Sequence, residues 1–163
     1  MRRTLRTGLS VAACVAAADW VSKYAILHLI HLPLRQNIQI LPFFDLTMVW
    51  NRGVSFGLFQ ADSPYGRMIL IGFTALVSLG VLLWLWRNHD MLSAIALGAI
   101  LGGALGNIHD RLKYGAVADF FDFHLMGYHW YVFNLADAGI SIGVTLLLIR
   151  TFQIGEADKE AEK

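Results

Sequence analysis

The sequence is short of the residues that usually announce a site. It holds a single cysteine, Cys14, set in an apolar run, so no internal disulfide can form and no thiolate cluster can bind a metal. Charge is sparse and balanced, with 13 Lys and Arg against 12 Asp and Glu for a net charge of +1. That balance offers no basic field for nucleic acid and no acidic solvating tail. His109 stands alone among carboxylates without a metal-ligand spacing, and no serine or cysteine nucleophile has a persuasive partner at hand. No metal or cofactor is expected.

What the chain has in quantity is apolar surface. It is 56% hydrophobic with a mean hydropathy of +0.54, a composition of membrane proteins rather than soluble domains. Four apolar segments, at about residues 8–30, 68–86, 91–108 and 130–149, each approach the ~20 residues that cross a bilayer as a helix. The expected architecture is an all-α polytopic membrane protein with four transmembrane helices. Residues 1–152 form one membrane-embedded domain, and 153–163 a flexible cytoplasmic tail. Arg2, Arg3, Arg6, Arg87, Arg150, Lys159 and Lys163 fall on the side of the termini, against Arg35, Arg52, Arg67, Arg111 and Lys113 on the other. This bias, led by "MRRTLR", puts both termini in the cytoplasm. The same start also resembles a secretory signal, with small residues before Asp19 and "VAAC" resembling a lipid-attachment box. The apolar run resumes in "YAILHLI", however, so an uncleaved span is the reading carried forward.

Two glycine series suggest how the helices pack. Gly98, Gly102 and Gly106 recur every fourth residue in one span, and Gly139 and Gly143 in the last; such faces admit close helix approach. They are expected to bring Asn107 near Asp137. Between the first two spans, residues 36–58 are rich in β-branched and aromatic residues around an "NRG" turn. A small antiparallel sheet lying on the outer membrane surface is expected there, built from "DLTMVW" and "VSFGLF".

Polar residues in the spans gather toward the outer side, and none is charged deep in a cytoplasmic half. Asp19 and Lys23 are four apart on one helical face and could simply neutralise each other. Asn107, His109, Asp110 and Arg111 end the third span and could cap it. Asn134 and Asp137 follow Trp130 into the last span, with Asp137 ~10 Å below the outer boundary at helical rise. Asp122 reads as a solvated loop residue. Asp119 precedes the last span by a foldable loop, so Asp119 and Asp137 can meet. Two carboxylates in one poorly solvated site share a proton and titrate as a unit, the chemistry by which an aspartic peptidase activates water.

Five short motifs then carry a resemblance: "DWVSK" (Asp19 to Lys23), "NRGVSF" (Asn51 to Phe56), "GNIHDR" (Gly106 to Arg111), "VADF" (Val117 to Phe120) and "FNLAD" (Phe133 to Asp137). In this order, at the ends of four spans, they resemble the lipoprotein signal peptidase family, bacterial signal peptidase II. The resemblance covers about residues 10–150. It implies that Asp119 and Asp137 are the catalytic pair, and that Asn51, Gly53, Asn107, Arg111 and Asn134 line or support the substrate site. Asp19, Lys23 and Asp110 take supporting roles. It further implies an aspartic endopeptidase of the bacterial inner membrane, working near the outer leaflet on prolipoproteins whose cysteine is already lipidated. Membrane lipids are the other partner and a monomer is expected. Ser55 and His109 depart from the commoner residues at their positions. Two readings from other classes are an ion-coupled transporter, which the confinement of charge to one side disfavours, and a structural subunit. A different intramembrane aspartyl protease would need a G-x-G-D signature that is absent.

Overall fold

The computed structural model describes residues 2–53 and 63–161, with side chains through Gln153. Helix α1 (Arg3–Tyr24) ends in a π-helical turn (Ala25–Leu29). A short α2 (Leu32–Arg35) leads to strands β1 (Asn37–Leu41) and β2 (Phe44–Asn51). Helices α3 (Pro64–Arg87) and α4 (Met91–Tyr114) form a hairpin, followed by β3 (Val117–Leu125), β4 (Tyr128–His129) and α5 (Leu135–Ala161). Four helical stretches are long and apolar enough to cross a membrane.

Local chemistry sets where these helices begin. Ser63 caps α3 by accepting the Gly66 N–H at 3.0 Å, with Pro64 at the first helical position. Asp90 caps α4 by accepting the Ser93 N–H at 2.8 Å, and it also pairs with Arg150 of α5 at 2.9 Å. The helix expected from residue 130 starts only at Leu135, because Asn134 caps it: its Oδ1 accepts the Asp137 N–H at 2.9 Å. At the other end, α5 runs through Ala161.

Helix α4 is the hub, with 61% of its apolar window buried against 22% or less in the other three. Glycine gives it two close contacts on different faces. A Cβ at Gly98 would strike the Gly8 carbonyl of α1, and one at Gly102 the Ala12 carbonyl. A Cβ at Gly106 would strike the Asp19 carboxylate. The expected glycine face therefore receives α1. Helix α5 instead packs on the neighbouring face, where Gly103 meets the Ala136 carbonyl and Gly143 lies against Ala96.

The strands form one antiparallel sheet in the order β1-β2-β3-β4. The expected strand "DLTMVW" is the heart of β2, but its described partners are β1 and β3. The second expected strand, "VSFGLF", lies outside the described residues. Strand β3 lies where the sequence suggests a loop, and it is the strand that matters. Its residues alternate: Ala118 and Phe120 enter a core with Ile26, Leu27, Leu32 and Met48, whereas Val117 and Asp119 turn toward the helix ends. Asp122 is also no solvated loop residue. It is 3% exposed, accepts from Thr47 Oγ1 at 2.8 Å and pairs with His129 at 3.0 Å.

Candidate active site

Asp119 is fully buried, and the sheet delivers it to the cap of α5. Its Oδ1 accepts from Asn134 Nδ2 at 2.6 Å and its Oδ2 from Asn51 Nδ2 at 3.0 Å. Asp137, half-buried in the first turn of α5, accepts from Asn107 Nδ2 at 2.8 Å and from the Asn134 N–H at 3.4 Å. Asn134 and Asp137 thus form a reciprocal capping box, and the same asparagine reaches across to Asp119. One residue holds both carboxylates, Asp119 by its side-chain amide and Asp137 by its backbone N–H.

The hydrogen bonds close into a ring. Asn51 Oδ1 accepts the Gly53 N–H at 3.0 Å, and the Gly53 carbonyl accepts from Arg111 Nη2 at 3.1 Å. Arg111 Nη1 donates to the Asn107 carbonyl at 3.4 Å, which leads back to Asp137. Among the described residues, each hydrogen bond that either carboxylate accepts comes from an amide N–H. Among the described residues Arg111 makes no ion pair with either acid, and its Nε, buried, has no partner. Burial first, and the nearby Asp137 second, push the Asp119 carboxyl up to about 7, against the pull of the Asn51 and Asn134 hydrogen bonds and of Lys23. Asp137 sits instead at a helix N-terminus, among donors suited to a carboxylate. At neutral pH, Asp119 therefore still carries its proton in a sizeable share of molecules.

Two cavities share Asp137 as a wall. One of about 230 Å³ is lined by Asn51, Gly53, Phe73, Thr74, Asn107, Arg111 and Val117. The other, about 500 Å³, is mostly apolar and runs past Trp130, Tyr131, Phe133, Ile140 and Ile142. A third, lined by Trp50, Arg52, Arg67 and Tyr114, contains neither acid.

Asp19, Lys23 and Asp110 are brought together as well, but differently. Lys23 Nζ lies 2.7 Å from Asp19 Oδ2 and 2.8 Å from Asp110 Oδ2, so the expected pair is a triad. The remaining lone pairs anchor backbone: Asp19 Oδ1 accepts the Ala136 N–H at 3.0 Å and Asp110 Oδ2 the Ala118 N–H at 3.1 Å. The residues flanked are those next to Asp137 and Asp119. Asn107 joins the two clusters, since its Oδ1 receives both Lys23 Nζ at 3.5 Å and Asn134 Nδ2 at 3.2 Å. All ten residues singled out in the sequence therefore fall in one connected network. Sequence reading missed Tyr131, whose hydroxyl accepts from Asn51 Nδ2 at 2.8 Å; an aromatic beside Trp130 looks like any interfacial ring.

The same architecture exists in solved proteins. The chain is similar to a bacterial membrane enzyme determined by the in meso method at 2.3 Å, with a TM-score of 0.79 and 26% identity over 90% of this chain and 88% of that one. A second such enzyme, at 1.9 Å, gives a TM-score of 0.76 and 27% identity over 89% and 92% of the two chains. The fold is that of a bacterial membrane enzyme, here with two acids joined through Asn134. Residues 11–153 match the family model described as Signal peptidase (SPase) II, and the chain belongs to that family. It is 46% identical to the lipoprotein signal peptidase of Methylobacterium sp. (strain 4-46), over 91% of this chain and 90% of that one. With the lipoprotein signal peptidase of Beijerinckia indica it shares 45% identity, over 92% and 89% of the two chains. Family and spans make it a multi-pass protein of the bacterial inner membrane.

Proposed function

We propose that this chain removes the signal peptide from diacylglyceryl-modified prolipoproteins, cutting before the lipidated cysteine, with Asp119 and Asp137 as the catalytic pair. Asp137, the charged partner, accepts a proton from a water molecule whose oxygen attacks the scissile carbonyl carbon. Asp119, the protonated partner, donates a hydrogen bond to the oxygen on which negative charge develops. Collapse of the tetrahedral intermediate breaks the C–N bond, and the amine of the lipidated cysteine leaves with a proton from the pair. The observation that carries this reading is Asn134, whose amide and backbone hold both carboxylates at once.

The other residues support it from fixed places. Asn51 and Asn107 orient one carboxylate each, and Gly53 and Arg111 close the ring between them. Asp19, Lys23 and Asp110 hold the backbone beside each acid. With both termini cytoplasmic, the site lies near the outer leaflet, the sheet rests on the membrane surface, and the apolar groove beside Asp137 receives substrate from the lipid. The protein works as a monomer. A clamp over the substrate formed by Trp50 with Phe56 and Phe59 remains part of this proposal; the two phenylalanines lie outside the described residues.

The test is cleavage of a diacylglyceryl-modified prolipoprotein by the purified protein in detergent with EDTA present. Wild type is expected to cut, and Asp119→Asn and Asp137→Asn, shown to be folded, to be inactive. Normal cleavage by either variant would remove that residue from the pair.

A further inference from the structure

Among the described residues, Asn51 is the β2 side chain that donates to the Asp119 carboxylate, and its own side chain is fully committed. Its Oδ1 accepts the Gly53 N–H at 3.0 Å, while its single nitrogen donates to Asp119 Oδ2 at 3.0 Å and to the Tyr131 hydroxyl at 2.8 Å. An amide nitrogen carries two hydrogens, so both bonds form at once. The Tyr131 acceptor fixes the plane of the amide and thereby which hydrogen faces the carboxylate. A flipped amide would set its oxygen against the Asp119 carboxyl and its nitrogen against the Gly53 N–H. Tyr131 thus supplies a third contact that holds this orientation. It comes from the extended stretch before α5, so it ties that stretch to β2 above the pair.

Tyr131 has a second relation to the site. Its ring, 37% exposed, lines the apolar groove that ends on Asp137. A substrate in that groove would press on the ring whose hydroxyl steadies Asn51.

We infer that Tyr131 is a positioning residue for the reaction proposed above, acting on Asp119 through the Asn51 amide. It is not a catalytic residue, because its hydroxyl is bonded to Asn51 and acts through it. The charged and titratable groups facing Asp119 are Asp137 of α5, Lys23 of α1 and, more remotely, Arg111 of α4. Tyr131→Phe leaves Asp137 and Lys23 in place, and it also removes a group that acts on Arg111. What changes at Asp119 itself is the Asn51 hydrogen bond, which favours the ionised form of Asp119.

The experiment is steady-state cleavage of the lipidated precursor by wild type, Tyr131→Phe, Asn51→Ala and the double variant, with Tyr128→Phe as a control. Tyr128 lies 86% exposed at a hairpin end, and its variant should match wild type. Tyr131→Phe is expected to lower kcat about three- to tenfold, as loss of one hydrogen bond allows. KM should stay nearly constant, and the alkaline limb of the pH–rate profile should move to higher pH. In the Asn51→Ala background the same change should have no further effect, because the intermediary is gone. Full activity in Tyr131→Phe, or a loss that multiplies with that of Asn51→Ala, would overturn the inference. Failure of the underlying function looks different, since wild type itself would then not cut.

Discussion

Two clusters of buried acids lie side by side in this protein and are built on opposite plans. In one, Lys23 sits between Asp19 and Asp110 within 2.8 Å of each, and Asp19 Oδ1 and Asp110 Oδ2 also accept backbone N–H groups. In the other, Asp119 and Asp137 are linked by asparagines, with no cation in direct contact among the described residues. A cation flanked by two carboxylates balances their charge, and the same acids tie down backbone, so the first cluster is a strut. Neutral amides orient carboxylates without neutralising them, and burial leaves Asp119 able to hold the proton that the proposed reaction requires. Asn107 touches both. The same residue type, aspartate, becomes inert or reactive according to what stands beside it.

The widest separation between the clusters should come from removing one member of each. Lys23→Ala leaves two buried carboxylates uncompensated and is expected to cost about 3–5 kcal/mol of stability, seen as loss of folded protein in thermal unfolding. Asp119→Asn should retain the fold while cleavage falls by about 10²–10⁴-fold, the range of positioned acid–base groups. If the two variants unfolded alike, the clusters would not differ in kind.

A finer distinction comes from neutralising the strut as a whole. Asp19→Asn, Lys23→Met and Asp110→Asn combined should recover much of the stability lost in Lys23→Ala, because no charge is left buried alone. Recovery smaller than about 1 kcal/mol would mean that the triad does more than balance charge.

The acids also differ in how they couple stability to pH. With its carboxyl raised from 3.8 to about 7, Asp119 keeps its proton in the folded protein at pH values where the unfolded chain has released it. The folded state then binds more protons, so stability falls as pH rises through that window. Thermal unfolding across it should show this slope in wild type and lose it in Asp119→Asn. Cleavage should likewise decline as pH rises through about 7, where Asp119 loses the proton it contributes.

The smallest effect lies at the far end of the bundle. The Ser93 N–H first, and then Arg150, hold the Asp90 carboxyl below its ordinary range. Its contribution is therefore present at neutral pH and lost as pH falls through that lowered value. Asp90→Ala should cost about 1 kcal/mol as a lost helix cap, measured by thermal unfolding, with kcat unchanged.

How much of this could be read in the chain varied with the physics involved. Hydropathy located the four spans because length and apolarity are properties of single segments. It misjudged the last one, because "WYVF" extends the apolar run while Asn134-x-x-Asp137 is a capping box that starts the helix at Leu135. Asp137 is consequently in the first turn, not partway down a span. Strand β3 was hidden because it pairs with a strand about 70 residues earlier in the chain, and the acids in "VADFFDF" resemble loop polarity. The same misreading made Asp122 a solvated residue when Thr47 and His129 hold it. The acids themselves were legible, since carboxylates beside apolar spans demand a reason. The Lys23–Asp110 contact and the role of Tyr131 depend on tertiary register, which no local pattern records.

The capping box at Asn134 has one more consequence. A helix start fixes rotational phase: each residue added between Asn134 and Asp137 would turn the Asp137 carboxylate by ~100° about the axis. The spacing N-x-x-D therefore acts as a vernier, aiming one acid at the other from the moment the first turn closes. Between Asn134 and Asp137 the chain has no play at all.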